Sequence, residues 1–181
     1  MKSTTFMQIA FMVSQESKCC SYKVGSVIEK NGRIIATGYN GTPSGQANCC
    51  DVATDKGWGV LNEKGHIDLR SPEHRMKHSA WSKENEIHAE LNSILFAARS
   101  GSVSLEGATM YVTLSPCSDC AKAITQSGIS TVVYCEEYDQ NSTSWSKILT
   151  DSGIKVYKID KSKLRLIRWD EIKIEPSFIE E

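Results

Sequence analysis

Apolar positions recur along this chain with two different periods, and the switches between them predict most of its elements. In residues 4–16, Phe6, Ile9, Ala10 and Val13 fall three or four apart, as on one face of an amphipathic helix, with Ser3 or Thr4 placed to cap it. Residues 24–29 and 33–39 read as strands, and Asn31-Gly32 between them suits a tight turn, which predicts an antiparallel hairpin. Ile87, Leu91, Ile94, Leu95 and Ala98 give residues 87–99 a broad apolar helical face, ended by Gly101. A strand at 109–114, a helix at 118–126 stopped by Gly128, a strand at 131–135, a short helix at 144–150 and a strand at 155–159 follow. This alternation predicts parallel strands joined by helices, and right-handed crossovers are expected to place helices on both sheet faces. The tail beyond Asp160 reads as a weak strand or helix packed on the surface.

Between Gly41 and Asn85 the periodicity fades, and a loop of that length inside a compact domain needs an explanation. Cys19, Cys20, Cys49, Cys50, His66, His74 and His78 flank or occupy this insertion. A structural zinc could clip it to the start of the hairpin and offset its closure entropy. The plainer reading is that the cysteine doublets are small buried hydrophobes and the histidines are solvated. Spacing does not choose between these readings, nor among the ligands.

The chain has 181 residues, 40% of them hydrophobic and 24% charged, which suits one domain over residues 1–181. A formal net charge of -1 gives no electrostatic reason to expect nucleic-acid binding. No apolar run approaches a membrane span, and residues 1–17, broken by Gln8, Ser14 and Gln15, read as structure rather than a signal peptide. Seven cysteines, an odd count with two doublets and a C-x-x-C, favour metal binding in a reducing compartment over disulfides, so a cytoplasmic location is expected.

The densest chemistry lies in His88-Ala89-Glu90 and Ser115-Pro116-Cys117-Ser118-Asp119-Cys120. One histidine and two cysteines make three ligands, the number found in a catalytic zinc site with an open fourth position. Zinc lowers the pKa of a bound water from 15.7 to about 7, and Glu90 is placed to carry the protons that an attack on an amine-bearing ring carbon requires. Cys117 and Cys120 are expected on one helix face, with Pro116 in the first turn and the helix N-terminus favouring thiolate. His88 and Glu90 could reach one ion if their helix aims its N-terminus at it. The expected place is the crevice at the carboxyl ends of the strands. A lone C-x-x-C could be a redox pair or half a zinc finger, and a lone H-x-E a solvated helix start. Their order and separation by a strand make the catalytic reading the stronger one.

Gly38-Tyr39-Asn40-Gly41, the two Cys-Cys doublets, residues 85–90 and residues 113–120 together resemble the deoxycytidylate deaminases of the cytidine deaminase superfamily, most of all the T-even-like bacteriophage type. The resemblance covers nearly the whole chain. It implies a three-layer α/β/α sandwich with a mixed five-stranded sheet and helices on both faces. It implies hydrolysis of dCMP to dUMP and ammonia, supplying dUMP for dTMP synthesis, in the host cytoplasm if the protein is phage-encoded. It implies two zinc ions per chain: a catalytic one on His88, Cys117 and Cys120 with Glu90 as proton shuttle, and a structural one on Cys19, Cys49, His78 and Glu86. By the same resemblance Asn40 meets the deoxyribose, Tyr138 lies near the substrate phosphate, and Lys23 contacts phosphate or an effector. Relatives of this type are homohexamers activated by dCTP and inhibited by dTTP, bound near the turn at residues 38–41. Ser118 departs from the proline common at that position and is not expected to touch the chemistry. Residues 51–75 do not align.

Two rivals share the fold. A tRNA adenosine deaminase would need a basic surface, and against a free-cytidine deaminase the helix between the last two strands favours parallel pairing, which by the resemblance implies the nucleotide-acting branch. A third reading is a non-catalytic, zinc-stabilised binding protein, against which Glu90 and the three-ligand count argue.

Overall fold

The computed structural model describes residues 1–63, 65–101, 104–138 and 144–165. Its centre is a sheet whose strands are buried on both faces. In β1 (Gly25–Lys30), Val27 and Ile28 are both fully buried but belong to different cores. The same split recurs in β5 (Thr109–Leu114), where Tyr111 faces one way and Met110 and Val112 the other, and in β6 (Thr131–Glu136) with Val133 and Val132. Side chains alternate across a strand, so a run of apolar residues can only be satisfied by a layer on each side. Helix α1 (Ser3–Ser14) supplies one layer through Phe6, Met7 and Ala10. Helices α4 (Ala89–Ser100), α5 (Ser118–Thr125) and α6 (Ser144–Asp151) supply the other through Ala97, Ala121, Ile124, Trp145 and Leu149.

Together with β2 (Arg33–Tyr39) and β7 (Lys155–Lys158), the strands run in the order β2-β1-β5-β6-β7. β1 pairs antiparallel with β2 and β5, whereas β5–β6 and β6–β7 are parallel, so the sheet is mixed and five-stranded as expected. Asn31, at φ 54°, and Gly32, at φ 78°, close the β1–β2 hairpin in the left-handed conformation that this pair tolerates. One expectation needs refinement. The crossovers through α5 and α6 step in the same direction along the sheet, so both helices lie on one face, and among the described residues α1 is the helix that covers the other. Leu164, beyond a short 3-10 turn at Lys161–Lys163, is buried with the α1 layer, and the remainder of the tail lies outside the described residues.

The stretch that read as an unpatterned insertion contains α2 (Cys49–Asp55), a small hairpin of β3 (Gly59–Leu61) and β4 (Ile67–Leu69), and α3 (Pro72–Asn85). Its helices are invisible to periodicity because they bury so little. Cys49 and Ala53 are the buried residues of α2, and His78 is the buried residue of α3. The start of α3 does carry a local signal: Ser71 accepts the N–H of His74 at 3.3 Å, and Pro72 opens the first turn. The cap expected of Ser3 or Thr4 on α1 is absent; Lys2 occupies that position, and no side chain bonds there.

Two glycines let helices settle onto the strands. A Cβ at Gly25 would stand 2.0 Å from the Ala10 carbonyl oxygen of α1, and one at Gly38 would stand 2.5 Å from both Ala89 O and Ser93 N of α4. The atoms met are backbone, which cannot swing away. Gly38→Ala is therefore expected to cost about 1–3 kcal/mol through overpacking, read in urea as a lower midpoint with an unchanged slope.

Candidate metal and active centre

Helices α4 and α5 point their N-termini at one place. His88 is the N-cap of α4 and Cys117 the N-cap of α5, both with extended backbones. The Cys117 sulfur accepts the N–H of Cys120 at 3.4 Å, so this thiol does the capping work that serine or aspartate usually does. That moves Pro116 off the helix: it sits one residue before the cap, fully buried, rather than in the first turn. His88 likewise precedes its helix, and Ile87 pairs with Gly41 through two backbone bonds of 2.8 and 3.1 Å. His88 Nδ1 lies 3.4 Å from the sulfurs of both Cys117 and Cys120. A tetrahedral zinc bonded at about 2.0–2.3 Å would separate its nitrogen and sulfur donors by about 3.5–3.8 Å. The three groups fit that ion.

Glu90, the second residue of α4, is 4% exposed. Burial pushes its carboxyl up to about 7, against the opposing pull of a charged His88. The bond to Cys117 lifts His88 to about 9 against burial, and Cys117 falls to about 4 while Cys120 rises, one sulfur holding charge and the other a proton. Thiolate, thiol and imidazolium thus share protons in the space that a cation would occupy, and a metal binds there by displacing them.

A second cluster draws one donor from each part of the insertion and its anchor. Cys19 follows α1, Cys49 begins α2, His78 sits mid-way along α3, and Glu86 follows its end; the four donor atoms lie within 4.8 Å of one another. Cys49 Sγ is 2.9 Å from His78 Nε2, and Cys19 Sγ is 3.9 Å from that nitrogen, 3.9 Å from Cys49 Sγ and 3.6 Å from Glu86 Oε2. Glu86 Oε1 is buried without a hydrogen-bond partner, an orphaned acceptor that a cation would satisfy. Burial lifts Glu86 to about 7; His78, which burial would lower, is carried up to about 10 by its thiol neighbours; Cys19 drops to about 4 through the bond from Cys49. Among the described residues, four donors group here and three at His88. The first number closes a tetrahedral ion and the second leaves a corner open. His66 and His74 are not part of either group: His74 Nδ1 is engaged with Ser71 Oγ at 2.8 Å, and His66 N–H donates to Asn62.

The proposed substrate contacts converge on one residue that the sequence did not single out. Tyr22 stacks edge-to-face on Tyr138 with ring centres 5.2 Å apart. Asn40, 8% exposed, donates from Nδ2 to the Tyr22 carbonyl and accepts the Val24 N–H, both at 2.8 Å. Lys23 is exposed between those two anchor points. Tyr138 N–H donates to Ser115 Oγ at 3.0 Å, two residues before Cys117, which ties the backbone of Tyr138 to the loop that carries this cysteine. Burial raises the Tyr138 phenol, and the charge of Arg75 on α3 opposes the rise. Arg75 lay in the segment that did not align, so no sequence signal marked it.

The family model for the cytidine and deoxycytidylate deaminase zinc-binding region matches residues 1–136. The chain belongs to this family. It is a deaminase of the zinc-binding type, and the mixed sheet with helices on both faces is the fold of that family. It is 57% identical to the deoxycytidylate deaminase of Enterobacteria phage T4 over 189 aligned residues, covering 95% of this chain and 97% of that one. A dCMP deaminase of the cyanophage S-TIM5, solved with dCMP and dUMP, superposes with a TM-score of 0.64 at 34% identity, over 88% of this chain and 99% of that one. A tRNA:A34 deaminase shares the fold at a TM-score of 0.51 with 21% identity, over 86% of this chain and 98% of that one.

With its amide committed to two part-buried backbone groups, Asn40 holds the deaminase's Tyr22 turn as well as any ligand. Asn40→Ala strands the Val24 N–H and the Tyr22 carbonyl, which water can still partly reach, at about 1–2 kcal/mol each, so a loss of about 2–4 kcal/mol is expected in urea denaturation.

Proposed function

We propose that this protein hydrolyses dCMP to dUMP and ammonia, and that one domain over residues 1–181 carries the activity. The observation that bears most weight is the meeting of His88, Cys117 and Cys120 at two helix N-termini beside the buried Glu90. Zinc bound by these three residues would supply Lewis acidity and a nucleophile at neutral pH. The chain's own residues do the rest. The Glu90 carboxylate takes one proton from the attacking water and delivers it to the ring nitrogen as the oxygen adds to the amine-bearing carbon; it then takes the second proton, from the hydroxyl now on that carbon, and gives it to the amine as the C–N bond breaks. Its burial keeps the carboxyl near the point where both gain and loss of that proton are accessible. The N-terminus of α5 favours the thiolate of Cys117, and Cys120 gives up its proton when a metal binds. Asn40 orients the deoxyribose, with Tyr22 and Tyr138 walling the site.

A nucleotide is favoured over a free nucleoside because the charge of Arg75 reaches Tyr138 and the exposed Lys23 follows Tyr22 in the chain, which supplies cations for a 5′-phosphate. The 57% and 34% identities to deaminases named for dCMP support the same choice. The tRNA reading rests on fold alone at 21% identity, and a net charge of -1 does not favour an RNA backbone.

A second zinc ion on Cys19, Cys49, His78 and Glu86 would fasten the insertion. The two centres are coupled through the chain: Glu86 and His88 flank Ile87, which is bonded to Gly41. The turn at residues 38–41 therefore reaches both. Ser17 Oγ donates to the Asn40 carbonyl at 2.8 Å and accepts the N–H of Cys19, a further link between this turn and the second cluster. This wiring supports regulation by dCTP and dTTP at that turn in a homohexamer, since two nucleotides that favour different states of the turn would move His88 in opposite senses. The product would feed dTMP synthesis in the host cytoplasm. No helix among the described residues is long and apolar enough to cross a membrane.

The purified protein is expected to release ammonia from dCMP, faster with dCTP and slower with dTTP, and to leave cytidine and a tRNA anticodon stem unchanged. Turnover of the RNA alone would sink this reading. Glu90→Gln should keep its metal and lose about 10²–10⁴-fold in kcat; a near-normal rate would remove Glu90 from the proton path. Metal analysis should find two zinc ions per chain in the unmodified protein. His78→Ala should retain one of them and melt at lower temperature, because its partners are then left buried without a counter-charge.

A further inference from the structure

The second cluster contains one sulfur more than its metal requires. Cys20 Sγ lies 3.5 Å from Cys49 Sγ, nearer than Cys19 Sγ at 3.9 Å, and the Cys20 N–H also donates to the Cys49 sulfur at 3.4 Å. Cys19 and Cys49 are buried, whereas Cys20 is half-buried, so the sulfur that a dissolved reagent meets first is the one outside the donor set. The fourth member of the two doublets does not compete: Cys50 Sγ turns to the Lys18 carbonyl at 2.8 Å. A four-donor zinc site is complete without Cys20, and the core clusters of the sheet do not include it.

We propose that Cys20 and Cys49 are an oxidation-sensitive pair, and that forming a disulfide between them takes Cys49 from the metal and opens the second centre. The proposal rests on the assignment of zinc to Cys19, Cys49, His78 and Glu86. The co-reactant is a peroxide. The Cys20 thiolate attacks one peroxide oxygen, the O–O bond breaks, hydroxide leaves, and the sulfur is oxidised to a sulfenic acid. The Cys49 thiolate then attacks that sulfur, the S–O bond breaks as the S–S bond forms, and a second hydroxide departs. Both hydroxides take up protons, so one peroxide is reduced to two waters while two thiolates become one disulfide. A small thiol reverses the step by exchange, after which zinc can rebind. Because Glu86 is tied through Ile87 to His88, the opened centre also frees the segment that carries the catalytic histidine.

The test uses the full chain and Cys20→Ser, both with their zinc content measured beforehand. Each is treated with hydrogen peroxide while released zinc is followed by a chromogenic chelator, and non-reduced peptides are mapped by mass spectrometry. The unmodified protein should form a Cys20–Cys49 link and release one zinc for each link formed. A thiol reductant with added zinc should restore the original metal content. Cys20→Ser should keep its basal activity and release that ion at least about tenfold more slowly, since the two sulfurs left in that cluster, Cys19 and Cys49, are buried. Equal release from the variant, or a link joining Cys19 to Cys49 instead, overturns the proposal. A starting protein with no ion at this cluster overturns the metal assignment, and the peptide map still reads separately whether Cys20 and Cys49 pair.

Discussion

Two helices that begin at the same point in space are the constraint on which the rest of this molecule turns. The first residues of any helix carry N–H groups with no partner inside it, and they concentrate positive potential there. Here one such end is capped by the Cys117 sulfur and the other starts immediately after His88. Their charge favours thiolates, and thiolates are what a borderline metal needs. The chemistry follows from a feature that every helix has, once two of them are aimed together.

What aims them is the sheet. β5 ends at Leu114, and the Ser115 N–H is pinned to Glu136 at 2.8 Å, so the loop that carries Cys117 emerges at the carboxyl end of neighbouring parallel strands. Helix α4 lies in the same layer as α5, over β2 and β1. Gly38 of β2 lets its backbone lie close to Ala89 and Ser93, and a buried Ser26–Ser93 hydroxyl contact of 3.0 Å keeps it in register with β1. The apolar layers set distances between elements, while these short polar contacts set how far each helix slides along the strand beneath it.

The insertion obeys a different rule. A sheet strand earns its place by burying apolar residues on both faces, but α3 buries only a histidine. Donors converge beside it from Cys19, Cys49, His78 and Glu86, and one buried carboxylate oxygen among them has no hydrogen-bond partner, as a site built for a cation would leave it. On the reading proposed above, the ion that completes it also steadies His88, so the two centres share a strip of backbone between Gly41 and Ile87. Cys20 then stands half-buried at the edge of that site.

How much of this was legible beforehand depends on the range of the interactions involved. The periods of α1, α4 and the paired strands are written locally, because each must bury one face or two, and H-x-E with P-C-x-x-C names its chemistry through residue type and short spacing. Resemblance then selected Cys19, Cys49, His78 and Glu86, a choice that spacing alone left open, and the fold brings these four together. The helices α2 and α3 escaped because donors rather than an apolar stripe hold them, and periodicity has nothing to register in such a case. Tyr22 and Arg75 could not be singled out at all, and the role of Cys20 as a third sulfur beside the four donors could not be read from its doublet. Their neighbours are distant in the chain, and only the closing of the sheet and the folding back of the insertion bring those partners within a few ångströms.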